Sequence, residues 1–207
     1  MVRVCLTLFL RDRSKFPLAE RRERLIDAGV ELFGERGYAA TSIRAVLQQA
    51  GLRDRYFGES FADLDALLAA VYSRLIDEEI SGCSAAIDKT DGGSQGARAM
   101  ISTITRSFEK NPGKARIKSR EVLSGGPAAR EQRRAGLRRL AELVADLLPP
   151  STALSRSDVL LLGLSIVAAA DELLMTWMDG AEGLTRGRVV DVVMLMFDAT
   201  AHHISST

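Results

Sequence analysis

The chain has 207 residues, which is enough for one or two domains with a sizeable buried core. Its formal net charge is only +1, so the overall charge gives no indication of a nucleic-acid partner. The two cysteines, Cys5 and Cys83, form no metal-binding or redox spacing, which favours a reducing, cytoplasmic location. Patterns typical of strands are almost absent, so we expect an all-α protein of about nine helices.

The first helix is predicted over residues 19–36, where apolar residues form one stripe and Gly37 is the stop signal. A second, short helix follows. Thr41 or Ser42 is its predicted N-cap, and Gly51 ends it in a left-handed conformation. Residues 52–57 are too few for an independent helix, so packing must hold a third helix there. A helix, a glycine turn and a second short helix in this order are typical of the helix-turn-helix motif. The second helix of this motif enters the major groove of DNA.

The segment RERLIDAGVELFGERGYAATSIRAVLQQAGL, followed by FADLDALLAAVYSRL, resembles the N-terminal domain of TetR (tetracycline-repressor) family regulators. This resemblance implies a three-helix DNA-binding domain, which we place at residues 19–66. It also implies a helical ligand-binding and dimerisation domain, placed at residues 67–207. Two positions depart from the family pattern: Gly58 stands where a phosphate-contacting tyrosine is usual, and Leu64 where a lysine is common. Both departures remove contacts with the DNA backbone, which dominate affinity.

The expected DNA contacts are Thr41, Ser42, Arg44, Arg53, Arg55 and Tyr56. The hydroxyls near the start of the second helix would hold a phosphate, and Arg55 would make a bidentate contact with guanine. Tyr56 would lie beside Arg55 on a base edge or a phosphate. Residues 1–18 are predicted to be a disordered tail or an over-extended start. The alternative is an arm that reaches DNA through Arg11, Arg13 and Lys15.

Beyond residue 63 the periodicity predicts six more helices, separated by glycine- and proline-rich breaks; they cover residues 64–87, 98–110, 114–123, 128–148, 157–178 and 188–201. The last two are apolar nearly all round, and one small body cannot cover both. Their excess surface predicts a homodimer, and the resemblance implies a four-helix bundle at its interface. Asp171 and Glu172 interrupt the first of these two helices, so we do not expect it to span a membrane.

A small-molecule effector would need an apolar cavity with a few polar groups. The residues expected to line it are Met100, Ile104, Phe108, Leu164, Val167, Asp171, Leu174 and Met178. Asp171 either pairs with an arginine or a dimer partner, or orients a ligand as a free acid. The basic run between Arg106 and Arg139 is either a solvated face, an entrance for an anionic effector or an auxiliary nucleic-acid surface.

No catalytic arrangement assembles, and we expect no enzyme activity, metal or cofactor. His202 and His203 are adjacent, so their side chains diverge on a helix and make poor co-ligands. The predicted function is a ligand-responsive regulator, more specifically a repressor, that binds a palindromic operator as a homodimer. The alternative is a helical dimer of the same fold that serves as a ligand-binding or protein-interaction module with weak or lost DNA specificity.

Overall fold

A computed structural model describes residues 16–206, and these residues contain helices and loops without strands. The described helices are α1 (Leu18–Arg36), α2 (Ile43–Ala50), α3 (Arg55–Gly58), α4 (Leu64–Ile87), α5 (Gly93–Lys110), α6 (Pro112–Ser119), α7 (Pro127–Leu147), α8 (Arg156–Met178) and α9 (Arg186–Ser205), with a short 3-10 helix at Glu121–Ser124. The prediction of an all-α fold of about nine helices is confirmed. The expected arm residues Arg11, Arg13 and Lys15 lie outside the described residues, as does Cys5.

The first three helices form a helix-turn-helix unit around a small apolar core. The Ser42 hydroxyl caps α2 by accepting a hydrogen bond from the Ala45 amide at 3.2 Å. Gly51 ends the helix at φ 65°, a conformation that glycine adopts without strain. Helix α3 has only four residues and starts later than the periodicity predicts. The rings of Phe57 and Phe61, 6.0 Å apart at their centroids, anchor it to the core.

Helix α1 also crosses α6, which belongs to the second part of the chain. The crossing is close because Gly34 and Gly113 meet backbone to backbone, and a Cβ on Gly34 would lie 3.2 Å from the Gly113 Cα. A second link starts from Asp65, whose carboxylate accepts hydrogen bonds from the amides of Gly126, Ala128 and Ala129 at the start of α7. The helix-turn-helix unit and the body therefore share contacts on both sides of the expected boundary at residue 66. The boundary itself stays a prediction.

Helix α5 starts at Gly93, five residues before the predicted start at residue 98, so the loop that the composition predicts over residues 88–96 ends earlier than expected. Gly92 and Gly93 have positive φ and turn the chain into the helix. Gly96 then lies in its first turns against α7, where a Cβ would come within 2.7 Å of Leu147 Cδ2. These glycines therefore allow a turn and a close helix crossing rather than a long loop.

Helices α4, α5, α7, α8 and α9 enclose the core of the body, while α8 and α9 keep apolar side chains on the outside. Leu161 and Leu195 are 59% and 70% exposed. Within residues 16–206, α8 is the one helix whose length and composition would suit a membrane crossing, and only 28% of its most apolar window is buried in the single chain. The excess apolar surface predicted for the last two helices is thus present.

Candidate functional site

The helix-turn-helix presents three arginines and one serine of the expected DNA contacts to solvent. Arg53 and Arg55 are exposed at the start of α3, and Ser42 and Arg44 are exposed at the start of α2. A helix start offers free backbone amides, and arginines beside it add positive charge, which together suit the phosphates of DNA. These four residues remain the candidates for direct contact.

Tyr56 differs from its predicted role, because its side chain is buried and only 4% exposed. The guanidinium of Arg21 lies 4.4 Å from the centroid of its ring, and Arg55 Nη2 donates a hydrogen bond of 2.6 Å to its hydroxyl. The ring therefore supports Arg55 instead of standing beside it on the DNA. Arg21 is itself held by Glu59 at 2.6 Å. Local spacing cannot predict the contact between Arg21 and Glu59, since 38 positions separate these two residues.

Thr41 is also placed differently from the expectation of a phosphate contact. It is 7% exposed, and its hydroxyl donates to the Gly37 carbonyl at 2.8 Å. This hydrogen bond closes the turn between α1 and α2. The Thr41 side chain is thus occupied inside the protein, and the hydroxyl available at this helix start is that of Ser42.

A cavity of about 70 Å³ lies inside the body. Its lining comes from α4 to α9 and consists of Tyr72, Ile76, Glu79, Ala97, Met100, Ile101, Ile104, Phe108, Lys118, Leu137, Leu140, Val144, Ile166, Val167, Ala170, Asp171, Leu174, Val193, Met194 and Phe197. The lining includes six of the eight residues expected for a ligand site, from Met100 to Leu174. The structure therefore brings these six residues together around one cavity.

Leu164 and Met178 do not line the cavity, so their assignment is corrected. Leu164 is 37% exposed. At this level Gly163 lies against the backbone of α7, where a Cβ would be 2.6 Å from the Ala141 carbonyl oxygen, and Leu164 turns outward. Met178 lies at the end of α8 in a separate cleft beside Arg116 and Arg120. Both residues belong to the predicted stripe, but the inward face of α8 runs from Ile166 to Leu174.

Two ion pairs form the polar part of the cavity. Lys118 of α6 pairs with Glu79 of α4, and each side chain is only 7% exposed. The Lys118 ammonium also lies 4.4 Å from the centroid of the Phe108 ring. Arg133 of α7 donates to the Asp171 carboxylate at 2.8 Å, so Asp171 pairs with a nearby arginine and also lines the cavity. Sequence reasoning missed Glu79 and Lys118, because they meet through the packing of α4 on α6.

Burial controls the protonation of the groups around these pairs. Burial raises the pKa of Asp171 above its ordinary value, although Arg133 opposes the shift. Burial likewise raises the pKa of Tyr72, whose hydroxyl interacts electrostatically with Arg133, Asp171 and Glu79. Tyr72 is therefore a neutral hydrogen-bonding group, and the cavity combines apolar walls with a concentrated set of charges at one side.

A groove of about 260 Å³ adjoins the cavity on the outside of α4, α5 and α6. Its lining residues are Leu75, Glu78, Glu79, Gly82, Thr103, Ile104, Ser107, Lys114 and Lys118. Lys114 pairs with Glu78 at 2.8 Å, one turn along α6 from the Lys118–Glu79 pair. Glu79, Ile104 and Lys118 belong to both linings, so these three side chains separate the groove from the cavity.

The predicted basic run is in part a solvated face, because Arg106, Lys110, Arg130, Arg134 and Arg138 are exposed. Five other cations of the run pair with carboxylates elsewhere in the fold: Lys114, Lys118 and Arg139 pair with α4, Arg133 pairs with Asp171, and Arg120 pairs with Asp179. The run therefore ties α6 and α7 to α4 and the end of α8. An auxiliary nucleic-acid surface receives no support from this arrangement.

Glu121, in the 3-10 helix after α6, connects the body with the DNA-binding part. Its carboxylate accepts from the Tyr38 backbone amide at 2.6 Å and from Arg116 Nε at 2.9 Å. Arg116 also donates to the Glu35 carbonyl at the end of α1. Together with the Gly34–Gly113 crossing, these contacts fix α6 to the turn that leads into α2. Helix α6 and the helix-turn-helix are therefore in direct contact.

Comparisons with known proteins agree with this architecture. Residues 25–71 match the family model described as "Bacterial regulatory proteins, tetR family". This part of the chain resembles the TetR family of regulators. The match begins within α1 and ends in the first part of α4. It indicates a transcriptional regulator with a helix-turn-helix domain. Among curated proteins, the transcriptional activator FasR of Mycolicibacterium smegmatis is 22% identical over 181 residues, which are 87% of this chain and 83% of FasR.

Solved structures of two regulators show the same fold over most of the chain. FadR from Bacillus subtilis, in complex with stearoyl-CoA, superposes with a TM-score of 0.70 at 16% identity and covers 84% of this chain and 97% of its own. FadR from Bacillus halodurans, a fatty acid degradation regulator, gives a TM-score of 0.71 at 16% identity, with 86% and 94% covered. At these identities the likeness concerns the fold, including the helical body that surrounds the cavity.

Proposed function

We propose that the protein is a homodimeric repressor that binds a palindromic operator and changes its DNA affinity when an apolar ligand with a polar head fills the body. The observation that carries the proposal is the pair of exposed arginines, Arg53 and Arg55, on a helix-turn-helix whose first helix contacts α6 of the cavity wall. DNA and ligand would thus act on one connected unit.

The ligand class is proposed from the cavity and from one structural relative. The cavity walls are mainly aliphatic and aromatic, and the charged groups lie together at one side. FadR from Bacillus subtilis has stearoyl-CoA bound in its structure. At about 70 Å³ the cavity is smaller than the roughly 300–1,000 Å³ of typical ligand sites. Binding therefore requires its adaptable side chains, Met100 and Met194 among them, to move apart.

The dimer is proposed from the outer apolar faces of α8 and α9. Leu161, Leu164 and Leu195 are the large exposed side chains of these helices. A second copy related by a two-fold axis would cover the same patch on both chains and would pair two recognition helices. Such a bundle accounts for α8, which is apolar enough for a membrane yet contains Asp171 and Glu172.

The test combines operator selection with one substitution. Selection of duplexes from a random pool should yield a palindrome, and Arg55→Ala should lose discrimination at one base pair per half-site, at a cost of about 1–3 kcal/mol. Uniform weakening across operator variants would restrict Arg55 to backbone contacts. Unchanged binding would remove Arg55 from the interface. A reporter gene under the selected operator then decides between repression, as proposed, and activation, the role named for FasR.

A second candidate function is a ligand-binding or interaction module without operator specificity. Gly58 favours it, because this exposed position lacks the tyrosine that the family usually places on a phosphate. The two candidates differ in the salt dependence of duplex binding. A steep fall of affinity with salt, together with preference for one palindrome, supports the regulator. Shallow binding that is blind to sequence supports the module.

A further inference from the structure

The boundary between the outer groove and the inner cavity consists of three side chains, Glu79, Ile104 and Lys118. Glu79 and Lys118 form an ion pair across this boundary, and both are 7% exposed. Outside the boundary the groove is lined by polar groups, among them Thr103 and Ser107. Inside it the lining is largely apolar. The polarity of the lining therefore changes across the boundary. A molecule with a charged end and an apolar end has the same change in polarity.

Stability alone gives little reason for an ion pair at this place. A buried pair loses the hydration of both charges, and apolar residues of similar size often stabilise a protein equally well. The ion pair can instead exchange one of its partners, because another anion can replace Glu79 beside Lys118. Lys118 would keep its contact with the Phe108 ring, 4.4 Å away, during such an exchange.

The groove also supplies a second cation at the correct spacing. Lys114 precedes Lys118 by four residues, one helical turn of α6, and lies in the groove beside Glu78 at 2.8 Å. An anionic group held by Lys118 is therefore within the field of Lys114. The displaced Glu79 carboxylate would turn toward the groove, where water can hydrate it.

We propose that the Glu79–Lys118 pair is an ion-pair gate through which a single-chain anionic amphiphile enters: its carboxylate or phosphate takes Lys118 from Glu79, and its aliphatic chain fills the cavity. The inference rests on the proposed ligand-responsive function and deepens it by naming the entrance and the residue that holds the head group. The shared chemistry is an aliphatic chain with an anionic head, which a free fatty acid and an acyl-CoA both have.

The gate also lies at a mechanically useful position. Lys118 is in the last turn of α6, and Gly113 in its first turn touches Gly34 of α1. Exchange of the Lys118 partner would release α6 from α4 at one end while the other end stays against the DNA-binding part. Entry of the ligand and displacement of the helix-turn-helix would thus begin with the same broken ion pair.

The experiment measures binding of three probes with the same chain, namely laurate, lauroyl-CoA and dodecanol, by isothermal titration calorimetry on the full-length dimer. Wild type should bind at least one anionic probe about tenfold or more tightly than dodecanol, because only an anionic head can replace Glu79 on Lys118 while the released Glu79 carboxylate is hydrated in the groove. Binding of laurate, of lauroyl-CoA or of both identifies the source of the head group. Equal affinity for all three probes would contradict the gate.

Three variants and one control locate the effect. K118M should reduce binding of the anionic probe to the level of dodecanol and leave dodecanol binding unchanged. E79Q should strengthen binding of the anionic probe several-fold, because Lys118 is no longer occupied. The double variant E79Q/K118M contains no buried unpaired charge, so it repeats the K118M result if that single variant folds poorly. Lys110→Met removes the same charge from the exposed end of α5 and should behave like wild type.

The outcomes separate this inference from the proposed function. If the protein binds its operator and releases it with lauroyl-CoA, but K118M retains the preference for the anionic probe, the gate is wrong and the regulator stands. If no duplex is selected although the anionic probes bind through Lys118, the gate stands and the DNA-binding function fails. Absence of binding for all three probes overturns the gate without affecting operator selection.

Discussion

Arg55 donates a hydrogen bond of 2.6 Å to the hydroxyl of the next residue, Tyr56, and its guanidinium carbon lies 4.7 Å from the centroid of the same ring. The ring is fixed in turn beneath Arg21. A long arginine side chain normally loses rotamer freedom when it contacts a base, and this arrangement removes part of that cost before DNA binds. Tyr56 thus orients the candidate base-reading residue.

The first prediction concerns Tyr56→Phe, which removes the hydroxyl and keeps the ring. Operator affinity should fall by about 2- to 10-fold, the equivalent of one hydrogen bond. Base preference should be retained, because Arg55 is still present. Fluorescence anisotropy with the selected operator measures the effect, and thermal unfolding checks that the fold is intact. A loss of affinity as large as that of Arg55→Ala would instead indicate that the Tyr56 hydroxyl contacts DNA itself.

The second prediction uses the bare position at the end of α3. A Cβ on Gly58 would meet no atom within 4 Å, so a side chain at this exposed position starts in open space. Gly58→Tyr should raise DNA affinity by about 2- to 10-fold through a neutral hydrogen bond to a phosphate. The salt dependence should not change. Leu64→Lys, in contrast, should steepen the slope of log affinity against log salt by about 0.9 per contact.

Gly58→Ala is the control for these variants, since it changes helix propensity without reaching a phosphate. If the alanine and tyrosine variants gain equally, the effect comes from the stiffness of α3 and not from DNA contact. If neither Gly58→Tyr nor Leu64→Lys changes affinity, the family's docking geometry does not apply to this chain, which would favour the interaction module.

The helices could be predicted from the sequence because their apolar residues recur at the helical period. Helix α4 was predicted at its observed bounds, residues 64–87, and α8 within one residue. The periodicity does not predict which face of such a helix lines a cavity. Helix α8 is apolar on several sides, and only its packing on α7 at Gly163 determines that Val167 points inward and Leu164 outward.

Charge partners were the other property that spacing could not supply. The sequence of the basic run contains few acids that could pair with its cations. In the structure, Lys118 pairs with Glu79 and Arg133 pairs with Asp171, which lie 39 and 38 positions away. These pairs exist because α4 and α8 cross α6 and α7 in the folded body. The polar side of the cavity, and with it the gate, therefore became visible only in three dimensions.

The third prediction concerns the connection between body and DNA-binding part. Glu121→Ala removes an acceptor that serves both the Tyr38 amide and Arg116 Nε. The free energy of unfolding should fall by about 1–3 kcal/mol, because a part-buried amide loses its charged partner. Urea unfolding measures this loss. Glu131→Ala, which breaks an exposed pair with Arg134 within α7, should leave stability unchanged.

The same variant should weaken communication between the sites. We expect the ratio of operator affinities with and without lauroyl-CoA to move toward one in Glu121→Ala, while binding of lauroyl-CoA in the absence of DNA stays the same. A variant that is less stable but keeps the wild-type ratio would show that the signal travels by another route, for example through α4.

The fourth prediction is a pH dependence with opposite signs at two carboxyls. Burial raises the pKa of Asp171, so between its ordinary and its raised pKa the native state binds more protons than the unfolded state. The contribution of Asp171 to stability therefore falls as pH rises through this interval. Asp158, hydrogen-bonded to Ser155 in an exposed capping box, has a lowered pKa. Its contribution is present above its ordinary pKa and is lost as pH falls through the lowered value.

Urea unfolding from about pH 3 to about pH 8, a range that includes the ordinary pKa of Asp, tests both signs. The stability of wild type minus that of Asp171→Asn should decrease with rising pH, because the amide cannot ionise. The stability of wild type minus that of Asp158→Asn should increase with rising pH. Parallel curves for wild type and Asp171→Asn would mean that Arg133 cancels the effect of burial on the pKa of Asp171, and a difference that rises with pH would mean that Arg133 outweighs burial.

The fifth prediction addresses the dimer through Leu195, the most exposed large apolar side chain of the described residues. A glutamate at the centre of an apolar interface would bury an unpaired charge in each subunit, at a cost of several kcal/mol. Leu195→Glu should therefore sediment as a monomer at concentrations where wild type is a dimer. It should also lose most operator affinity, since one recognition helix alone cannot occupy both half-sites.

Leu123→Glu is the matched control, because Leu123 is 49% exposed on the 3-10 helix, away from α8 and α9. The same chemical change there should leave the dimer and operator affinity intact. If Leu195→Glu stays dimeric and Leu123→Glu dissociates, the interface lies on the other face of the body, and the apolar surface of α8 needs a different partner. If both remain dimeric, neither leucine is central to the contact. Dimerisation through α8 and α9 thus predicts a different response of two exposed leucines at different positions.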